Sequence, residues 1–554
     1  MVGSVILMAS MIITKVLGLI YKIPLTNILG GEGMSYYSSA YSIFMPVFAI
    51  AVSGLTTALS RIVSENLSFK RYKNALKIRR VSLLFFSFTG LVFTVLTLAV
   101  GYPICVFVLG SKDAFLSLAA LAPGIFFGSI MSVQRGFFEG GRNMMPTFVS
   151  EVIESILKVS LGIGGAYLAL FLAEREYAVS STVFGQVCAD RSEFLGLCVP
   201  YISAFSLLGV TLSTAIATIY LFIISKRKSY RFSQDQINRD KVTDRKRTII
   251  IFLVSLAVPM ALSCVITTIA SIVDMLTISP ILSNVIERHG AAAFLSGINT
   301  SNIADVPAFM YGSFTGLALT VFGLVPSLTA MLGKSALPNI SHLYAKGDMD
   351  SVRRQSNGTL IVTNIIAIPA GLAIVVFSRE ILTVLFKNRT AEIEASTLPL
   401  SVLGVGVWFI SLTVTTFSLL QSIGKERTPI YILLAAMPIK IILNIVLLNI
   451  PALGVTGAAI ATVIFYIATA LASVIVYMRN IKCKFQIINT VLKPLYAGIN
   501  CIMAAVIANN LLSKCLNSIV AFLISCGISV IIYILSASLL FKINKKTLKS
   551  RFLL

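Results

Sequence analysis

The sequence predicts an all-α protein that crosses a membrane fourteen times, and three observations support this. The 554 residues are 57% hydrophobic and 12% charged, with a mean hydropathy of +0.91, which excludes a soluble domain of this length. The apolar stretches are about 18–25 residues long, the length of a membrane-spanning helix. The gaps between them alternate between basic and nearly uncharged or acidic.

Each predicted helix corresponds to one apolar stretch, numbered here from 1 to 14. The helices cover residues 3–25, 36–60, 81–109, 114–133, 146–173, 201–225, 249–272, 306–332, 358–378, 398–421, 429–450, 456–478, 491–513 and 519–541. The start, Met1–Thr14, has no basic segment and no small-residue cleavage site. We therefore expect helix 1 to be retained rather than removed as a signal peptide.

The basic gaps define the orientation in the membrane. Seven alternate gaps hold 32 of the 45 Lys and Arg residues, the opposite gaps hold 8, and 5 lie inside helices. Short cytoplasmic loops carry the excess of Lys and Arg, so both termini are expected in the cytoplasm. The net charge of +23 then indicates contact with anionic lipid rather than with nucleic acid. The basic gaps are 61–80, 134–145, 226–248, 333–357, 422–428, 479–490 and 542–554.

The chain also contains a repeat. Helix 4 is followed by a turn from Gly141 to Pro146, and helix 10 by a turn from Gly424 to Pro429. In both turns Gly stands five residues before Pro and a basic residue follows the Gly. Helices 2 and 8 also end alike, in Ala58-Leu59-Ser60 and Ala336-Leu337-Pro338. These matches predict two parallel six-helix repeats related by an axis along the membrane normal.

The longest basic gap separates the repeats. We predict an N-lobe with helices 1–6 at 1–225, a basic cytoplasmic linker at 226–248 and a C-lobe with helices 7–12 at 249–478. Residues 479–554 add helices 13 and 14 and a basic cytoplasmic tail.

Ionisable side chains at membrane depth are unfavourable by several kcal/mol unless they face water or a partner, so each is a functional candidate. Helices 1, 5 and 11 carry such residues at spacings that place them on one helix face. The candidate substrate-binding residues are Lys15, Lys22, Glu151, Glu154, Lys158, Lys440 and Asn444.

Two of these lysines lie at matching depth. Lys158 is twelve residues beyond Pro146 and Lys440 eleven beyond Pro429, which is about 16–18 Å and near the middle of a core of roughly 30 Å. The predicted repeat axis places them on opposite walls of a central cleft. Together with Lys15 they form a cationic cavity suited to a phosphate or pyrophosphate.

Simpler interpretations remain open for several of these charges. Lys22 and Lys493 lie near helix ends, from which a lysine reaches the headgroups. Glu151 is in the first turns of helix 5, where the helix dipole favours a carboxylate. Glu154 lies four residues before Lys158 and could serve to neutralise it.

Signatures of enzymes, metals and cofactors are not found. The two histidines, His289 and His342, lie in gaps on opposite sides, so we expect no His-based metal or catalytic site. Gly333-Lys334-Ser335 resembles the end of a phosphate-binding loop, but Leu328 stands where that loop needs Gly. Energy for transport must come from an ion gradient, from membrane potential or from consumption of the substrate on the far side.

The eight cysteines follow no metal spacing. Cys188 and Cys198 share the predicted outside loop 174–200 and are the pair that could form a disulfide.

The sequence resembles a known family at several points. The run Lys15 to Leu25, with Gly30-Gly31-Glu32-Gly33, Tyr37 and Tyr41, is similar to the opening of the stage V sporulation protein B family. Leu420 to Lys425, Lys440 to Asn444 and Leu453 to Thr462 resemble its second half, and Gly140 to Pro146 with Glu151 to Lys158 its first. These are bacterial oligosaccharide-lipid flippases of the multidrug/oligosaccharidyl-lipid/polysaccharide exporter superfamily.

The resemblance implies a V-shaped fold, like that of multidrug exporters in the superfamily, and alternating access. It implies a monomer that moves an undecaprenyl-pyrophosphate-linked saccharide, such as the peptidoglycan precursor lipid II. The lipid II flippase branch carries cavity arginines in helices 2 and 8, where this chain has Ala49-Ile50 and a neutral stretch around Thr320.

Two other functions compete with a flippase. A cation-coupled exporter of small molecules would use carboxylates in its cleft, and Asp274 near the end of helix 7 keeps this alternative open. A membrane enzyme acting on polyprenyl-linked sugars would need a large catalytic loop outside the membrane, and the longest outside gaps, 174–200 and 273–305, lack paired carboxylates at membrane depth and an Arg-rich motif.

The orientation can be tested by labelling single cysteines in a cysteine-free background with an impermeant reagent. In intact cells we expect protection at positions in 226–248 and labelling at positions in 174–200, because Lys and Arg stay inside. The reverse pattern would contradict the fourteen-helix topology.

Overall fold

The computed structural model describes residues 2–188, 191–226, 243–290, 305–483 and 485–541, and nearly all of them are helical. The rest of the predicted linker and tail lies outside these residues. The helices are α1 Val2–Phe48, α2 Gly54–Ser68, α3 Tyr72–Pro103, α4 Asp113–Leu121, α5 Pro123–Gly140, α6 Met145–Ser180, α7 Arg191–Ser225, α8 Lys246–His289, α9 Val306–Ser313, α10 Leu319–Phe322, α11 Leu324–Ala345, α12 Met349–Val376, α13 Ser378–Leu385, α14 Thr390–Ser422, α15 Thr428–Leu448, α16 Thr456–Ile481, α17 Lys493–Leu512 and α18 Ser518–Phe541.

Short irregular pieces complete this architecture. Single π-helical turns interrupt or extend the helices at 49–53, 104–108, 314–318 and 488–492. The strands β1, Thr182–Val183, and β2, Gln186–Val187, form an antiparallel hairpin after α6.

The chain forms two compact units. The first contains the residues up to Arg288 and a segment that ends at Gly316, and the second contains the residues from Leu317 on. Thus α1 to α9 pack in the first unit and α10 to α18 in the second. The boundary between the two repeats, placed at 226–248, was predicted from repeated motifs in the sequence rather than from packing. It remains a prediction.

The all-α membrane fold is confirmed, and the number of spans is close to the prediction. Among the described residues, twelve helical segments are long and apolar enough to cross a membrane, or thirteen if the bent pair Val306–Phe322 and Leu324–Ala345 counts as one span. The first segment, Ile12–Ser68, has 57 residues. As a straight helix it would be about 85 Å long, far more than a core of roughly 30 Å.

This first segment folds back on itself at Gly30. Gly30 has φ 67° and ψ −168°, a conformation open essentially only to glycine. The rings of Tyr21 and Tyr37 are 6.4 Å apart, although sixteen residues of straight helix would separate them by about 24 Å. Ile12–Ser68, counted above as one segment, is therefore a helical hairpin whose turn lies in the predicted gap 26–35.

The helix after Gly30 packs closely on α9. A Cβ atom on Gly312 would lie 1.7 Å from the carbonyl oxygen of Gly31, and one on Gly31 would lie 2.7 Å from the ring of Phe309. The Glu32 carboxylate accepts a hydrogen bond of 3.0 Å from the backbone N–H of Asp305, the residue before α9. Only residues without a side chain allow the two backbones to approach this closely.

Several helices are longer than the hydrophobic stretches predicted. Helix α5 continues through Arg135 to Gly140, within the gap assigned to a cytoplasmic loop. Helix α6 reaches Ser180, so little irregular chain precedes α7. Helix α8 has 44 residues, against 24 in predicted helix 7, and its segment Thr268–His289, mostly beyond the predicted end, is itself apolar enough to cross a membrane.

The two repeated turns have the helix start that their prolines predict. Pro146 and Pro429 both lie in the first turn of the following helix, α6 and α15, where a missing N–H costs nothing. The turns differ in one detail: Arg142 has the positive φ in the first turn and Gly424 in the second. Cys188 and Cys198 are buried thiols with no disulfide between them.

The end of the linker is fixed to the turn before α3. Arg71 forms an ion pair of 2.9 Å with Asp244, and Asn74 donates a hydrogen bond of 2.6 Å to the same carboxylate. Burial alone would raise the pKa of Asp244, but the hydrogen bonds from Arg71 and Asn74 outweigh it and lower that pKa. This contact connects the start of α8 with the α2–α3 turn inside the first unit.

The Gly31–Gly312 contact predicts that Gly312→Ala destabilises the protein. The added methyl group would overlap the Gly31 carbonyl, and overpacking of this kind costs about 1–3 kcal/mol. Thermal unfolding in detergent measures the loss. Gly18→Ala is the matched control, since a Cβ there meets nothing within 4 Å; equal melting temperatures for the two variants would show that the close approach is not important.

Candidate functional site

Lys158, on α6, lies beside the α1 hairpin. Its ammonium group donates a hydrogen bond of 3.0 Å to the hydroxyl of Tyr41 and lies 5.3 Å from the ring centroids of both Tyr21 and Tyr41. The side chain is half-buried. Among the ion pairs within 4 Å that the described residues form, none includes Lys158. Aromatic faces and a hydroxyl stabilise an ammonium group without neutralising it.

Three tyrosines of α1 surround this lysine because the chain turns back at Gly30. The rings of Tyr37 and Tyr41 are 4.8 Å apart, and Tyr21 shares a hydrogen bond of 2.8 Å with Ser206 of α7. Tyr21 and Tyr37 are buried, whereas Tyr41 is half-buried. The buried tyrosines therefore hold Lys158 in position, and Tyr41 remains partly accessible.

Lys22 is the second cation of this region. Its ammonium group donates a hydrogen bond of 3.3 Å to the backbone carbonyl of Thr315, and it is close enough to Lys158 for the two charges to repel. The contact with Thr315 lies inside the first unit. Lys22 thus points toward protein, which favours a role in the site over anchoring at the headgroups.

Glu154 pairs with Arg135 rather than with Lys158. Arg135 donates to the Glu154 carboxylate at 2.9 Å and to the hydroxyl of Ser150 at 2.9 Å. Thr214 of α7 donates to the other carboxylate oxygen at 3.0 Å. The Glu154 carboxylate thus has partners on α5 and α7, and its suggested role in neutralising Lys158, four residues further along α6, stays a prediction.

The other two predicted residues of the first unit lie on the α1 side. Glu151 accepts a hydrogen bond from Ser10, which is a better explanation of this carboxylate than the helix dipole alone. Lys15 is exposed on α1. Glu151 and Lys158 share the face of α6 toward α1, as their seven-residue spacing predicts.

Lys440 and Asn444, in the second unit, are both buried. Lys440 is 1% exposed, donates a hydrogen bond of 3.3 Å to Thr462 of α16 and lies 5.7 Å from the ring centroid of Phe465. Asn444, one turn further along α15, is fully buried. The predicted approach of Lys440 to Lys158 stays a prediction, because the two lysines belong to different units.

The structure therefore brings Lys22, Glu151, Glu154 and Lys158 together in one unit and adds residues that the sequence analysis did not select. Arg135 was counted as a loop charge, although no proline stands between the end of predicted helix 4 at residue 133 and Gly140, and the absence of proline was the available signal. In the ranges that the structure covers, no group of three or more His, Cys, Asp or Glu side chains is arranged to hold a metal ion.

Two family models match the chain. Residues 2–192 match the family described as polysaccharide biosynthesis protein, and residues 290–530 match the family described as lipid II flippase MurJ. The matches thus fall on both sides of the predicted linker and together cover most of the chain.

Relatives and solved structures agree with these matches. Stage V sporulation protein B of Bacillus subtilis is 23% identical, over 83% of this chain and 80% of its own. The lipid II flippase MurJ of the same organism is 23% identical over 88% of this chain and 84% of its own length. A structure of lipid II flippase MurJ in an inward closed conformation has a TM-score of 0.63 at 16% identity, over 98% of this chain and 99% of that one. An inward-facing multidrug transporter of the multidrug/oligosaccharidyl-lipid/polysaccharide (MOP) superfamily has a TM-score of 0.61 at 14% identity. The match covers 85% of this chain and 94% of that one.

Fold and comparisons define the class first: the chain is an all-α, multi-span membrane protein whose fold is similar to that of lipid II flippase MurJ and of a multidrug transporter of the MOP superfamily. Within that class it is similar over most of its length to stage V sporulation protein B and to the flippase MurJ. The resemblance drawn from the sequence motifs is confirmed.

The Arg135–Glu154 pair predicts a non-additive effect on stability. Arg135→Gln leaves a carboxylate only 24% exposed without its ion-pair partner, which should cost about 1–3 kcal/mol of unfolding free energy. In the double variant Arg135→Gln, Glu154→Gln most of this loss should be recovered, because two amides hydrogen-bond without an unpaired charge. Thermal unfolding of the two single variants and the double variant measures the coupling; strictly additive losses would contradict it.

Proposed function

We propose that this protein is a flippase that moves an undecaprenyl-pyrophosphate-linked saccharide from the inner to the outer leaflet of the bacterial cytoplasmic membrane by alternating access. Lipid II is one candidate, and a related cell-wall or polysaccharide precursor is another. The similarity to MurJ and stage V sporulation protein B supports the class of substrate. The electrostatics of the first unit support the chemistry.

The observation that carries the proposal is the pair Lys22 and Lys158. Both ammonium groups have neutral hydrogen-bond acceptors, a carbonyl and a phenol, and they lie close enough to repel each other. The two nearby carboxylates form hydrogen bonds with other residues. Glu151 accepts a hydrogen bond from Ser10, and Glu154 accepts one from Arg135. An anion with two negative groups, such as a pyrophosphate, would relieve the repulsion and complete the site.

The remaining parts of the substrate fit the same region. Tyr41 is half-buried beside Lys158, so its ring is available to a sugar while its hydroxyl keeps the ammonium group in place. The polyprenyl tail can stay in lipid, because the site needs only the charged headgroup. We assign Lys15 to the approach of the headgroup, since it is exposed on α1.

Lys440 enters this mechanism only after a conformational change. At 1% exposure it is out of reach of a substrate in this conformation, and contact would require α15 and α16 to separate. Alternating access supplies such a change, and a ligand shifts a conformational equilibrium through contacts that it makes in one state and not in the other.

A cation-coupled exporter of small molecules remains the second candidate. The similarity to a multidrug transporter structure and the buried carboxylate of Asp274, which is 5% exposed, favour it. This alternative predicts transport of organic cations, whereas the cationic pair Lys22 and Lys158 predicts their rejection.

Lys158→Gln should abolish flipping. The change keeps part of the stem and removes the charge, and losing a charge-assisted contact should weaken binding by about 1.5–3 kcal/mol, or roughly ten- to a hundredfold. Reconstituted proteoliposomes with defined lipid-linked saccharides measure the rate, and a fluorescent organic cation in the same vesicles tests the alternative.

The controls separate transport from folding. Lys346→Gln removes a charge from an exposed position and should transport normally, and Lys158→Gln should insert as well as the original, because removing an intramembrane charge eases insertion. Lys440→Gln should also lose flipping if the buried lysine meets the substrate. Normal rates for both Lys158→Gln and Lys440→Gln would refute the cationic mechanism.

A further inference from the structure

A groove of about 640 Å³ opens on the second unit, apart from the lysines just described. It lies between α14, α16 and the residues 482–483 and 485–491 that lead into α17. Its walls are largely apolar and include Trp408, Leu412, Leu471, Ile475 and Phe485. Leu471 is 55% and Ile475 50% exposed, so the groove faces the surroundings of the protein rather than its core.

One side of the groove is held by a buried amide. Asn364 of α12 is fully buried, accepts a hydrogen bond of 2.9 Å from the indole of Trp408 and donates one of 2.8 Å to the carbonyl of Thr490. The amide thus ties α14 to the π-helical turn before α17. These two hydrogen bonds fix Trp408 relative to the turn at 488–492 and so give this side of the groove a defined wall.

Two cations stand at one end of the groove. Arg479 and Lys482 line it, and both are exposed. Arg479 follows Leu471 and Ile475 along one face of α16 at spacings of four residues, and Lys482 is the first residue after the end of the helix. Arg353 already donates a hydrogen bond of 2.9 Å to the carbonyl of Ile481 at the end of α16. The two groove cations are therefore not needed to satisfy that carbonyl.

We propose that this groove binds one anionic glycerophospholipid. Its phosphate lies on Arg479 and Lys482, and one acyl chain runs along Ile475 and Leu471 past the face of Trp408. The basic end belongs to the gap 479–490, which the charge pattern assigns to the cytoplasmic side, where anionic lipids attract basic residues. An acyl chain matches the groove better than a polyprenyl chain, which is several times longer. The site is separate from the proposed transport of a lipid-linked saccharide and does not depend on it.

The single tryptophan of the chain makes the groove directly observable. Trp408 is the one Trp in the sequence, so the fluorescence of the full-length protein reports on this groove alone. Phospholipids with brominated acyl chains quench a tryptophan that they touch. In vesicles that contain increasing mole fractions of brominated lipid, brominated phosphatidylglycerol should quench Trp408 at a lower mole fraction than brominated phosphatidylcholine, by about fivefold for each of the two charges.

Two pairs of substitutions separate the headgroup contact from general charge. Arg479→Gln, Lys482→Gln should remove the preference for phosphatidylglycerol. Arg479→Lys, Lys482→Arg should retain it. The matched control Lys425→Gln, Arg427→Gln removes two exposed charges from another turn of the same unit and should leave the preference unchanged. Raising the salt concentration to 1 M should reduce the preference in the unaltered protein, which tests the headgroup contact without any substitution.

Three outcomes would overturn the proposal. Equal quenching by the two lipids, insensitive to salt, would mean that ordinary surrounding lipid fills the groove. An equal loss of preference in the Lys425, Arg427 control would mean that total charge rather than this site attracts the lipid. Relief of quenching by unbrominated undecaprenyl phosphate at a lower mole fraction than by unbrominated phosphatidylglycerol would mean that the groove holds the tail of a polyprenyl lipid.

Discussion

The backbone of Gly30 is the constraint on which the first unit depends. Its positive φ turns one long helical segment into a hairpin, and three consequences follow from this single conformation. Tyr21 and Tyr37 come within ring contact, Tyr41 reaches Lys158, and the next residue, Gly31, meets the backbone of α9. A side chain at position 30 would disfavour the turn, and the aromatic pocket around Lys158 would lose one of its two walls.

Charge compensation decides what the pocket can bind. A carboxylate in a membrane is tolerated when each oxygen has a donor, and Glu154 meets this condition through Arg135 and Thr214. Lys158, on the same helix, has a phenol and two aromatic rings as close partners. Helix α6 therefore presents an ion-paired carboxylate toward α5 and α7 and an ammonium group toward α1, and the proposed anion is expected on the α1 side.

The sequence was sufficient for properties that follow from hydropathy and charge spacing. It predicted the membrane fold, the breaks near Gly30, Gly141 and Gly424, and the helix starts at Pro146 and Pro429, because apolar length, glycine and proline act locally. It did not reveal that Arg135 lies in a helix, since a charge next to an apolar stretch looks the same in a loop and in one further helical turn. It also paired Glu154 with Lys158, because spacing along one helix gives no information on which neighbouring helix supplies a closer partner.

Lys158 and Lys440 show where repeat symmetry stops being informative. Their distances from Pro146 and Pro429 predict equal depth, but depth does not determine exposure: Lys158 is half-buried beside a phenol, whereas Lys440 is closed off by α16. The difference arises from the neighbours, which duplication does not preserve. If both lysines contact one substrate, they do so at different stages, because only Lys158 is accessible before the helices move. The substrate would then contact Lys440 in only one of the two conformations. Because a ligand favours the conformation in which it makes more contacts, a bound anion can drive the change between them.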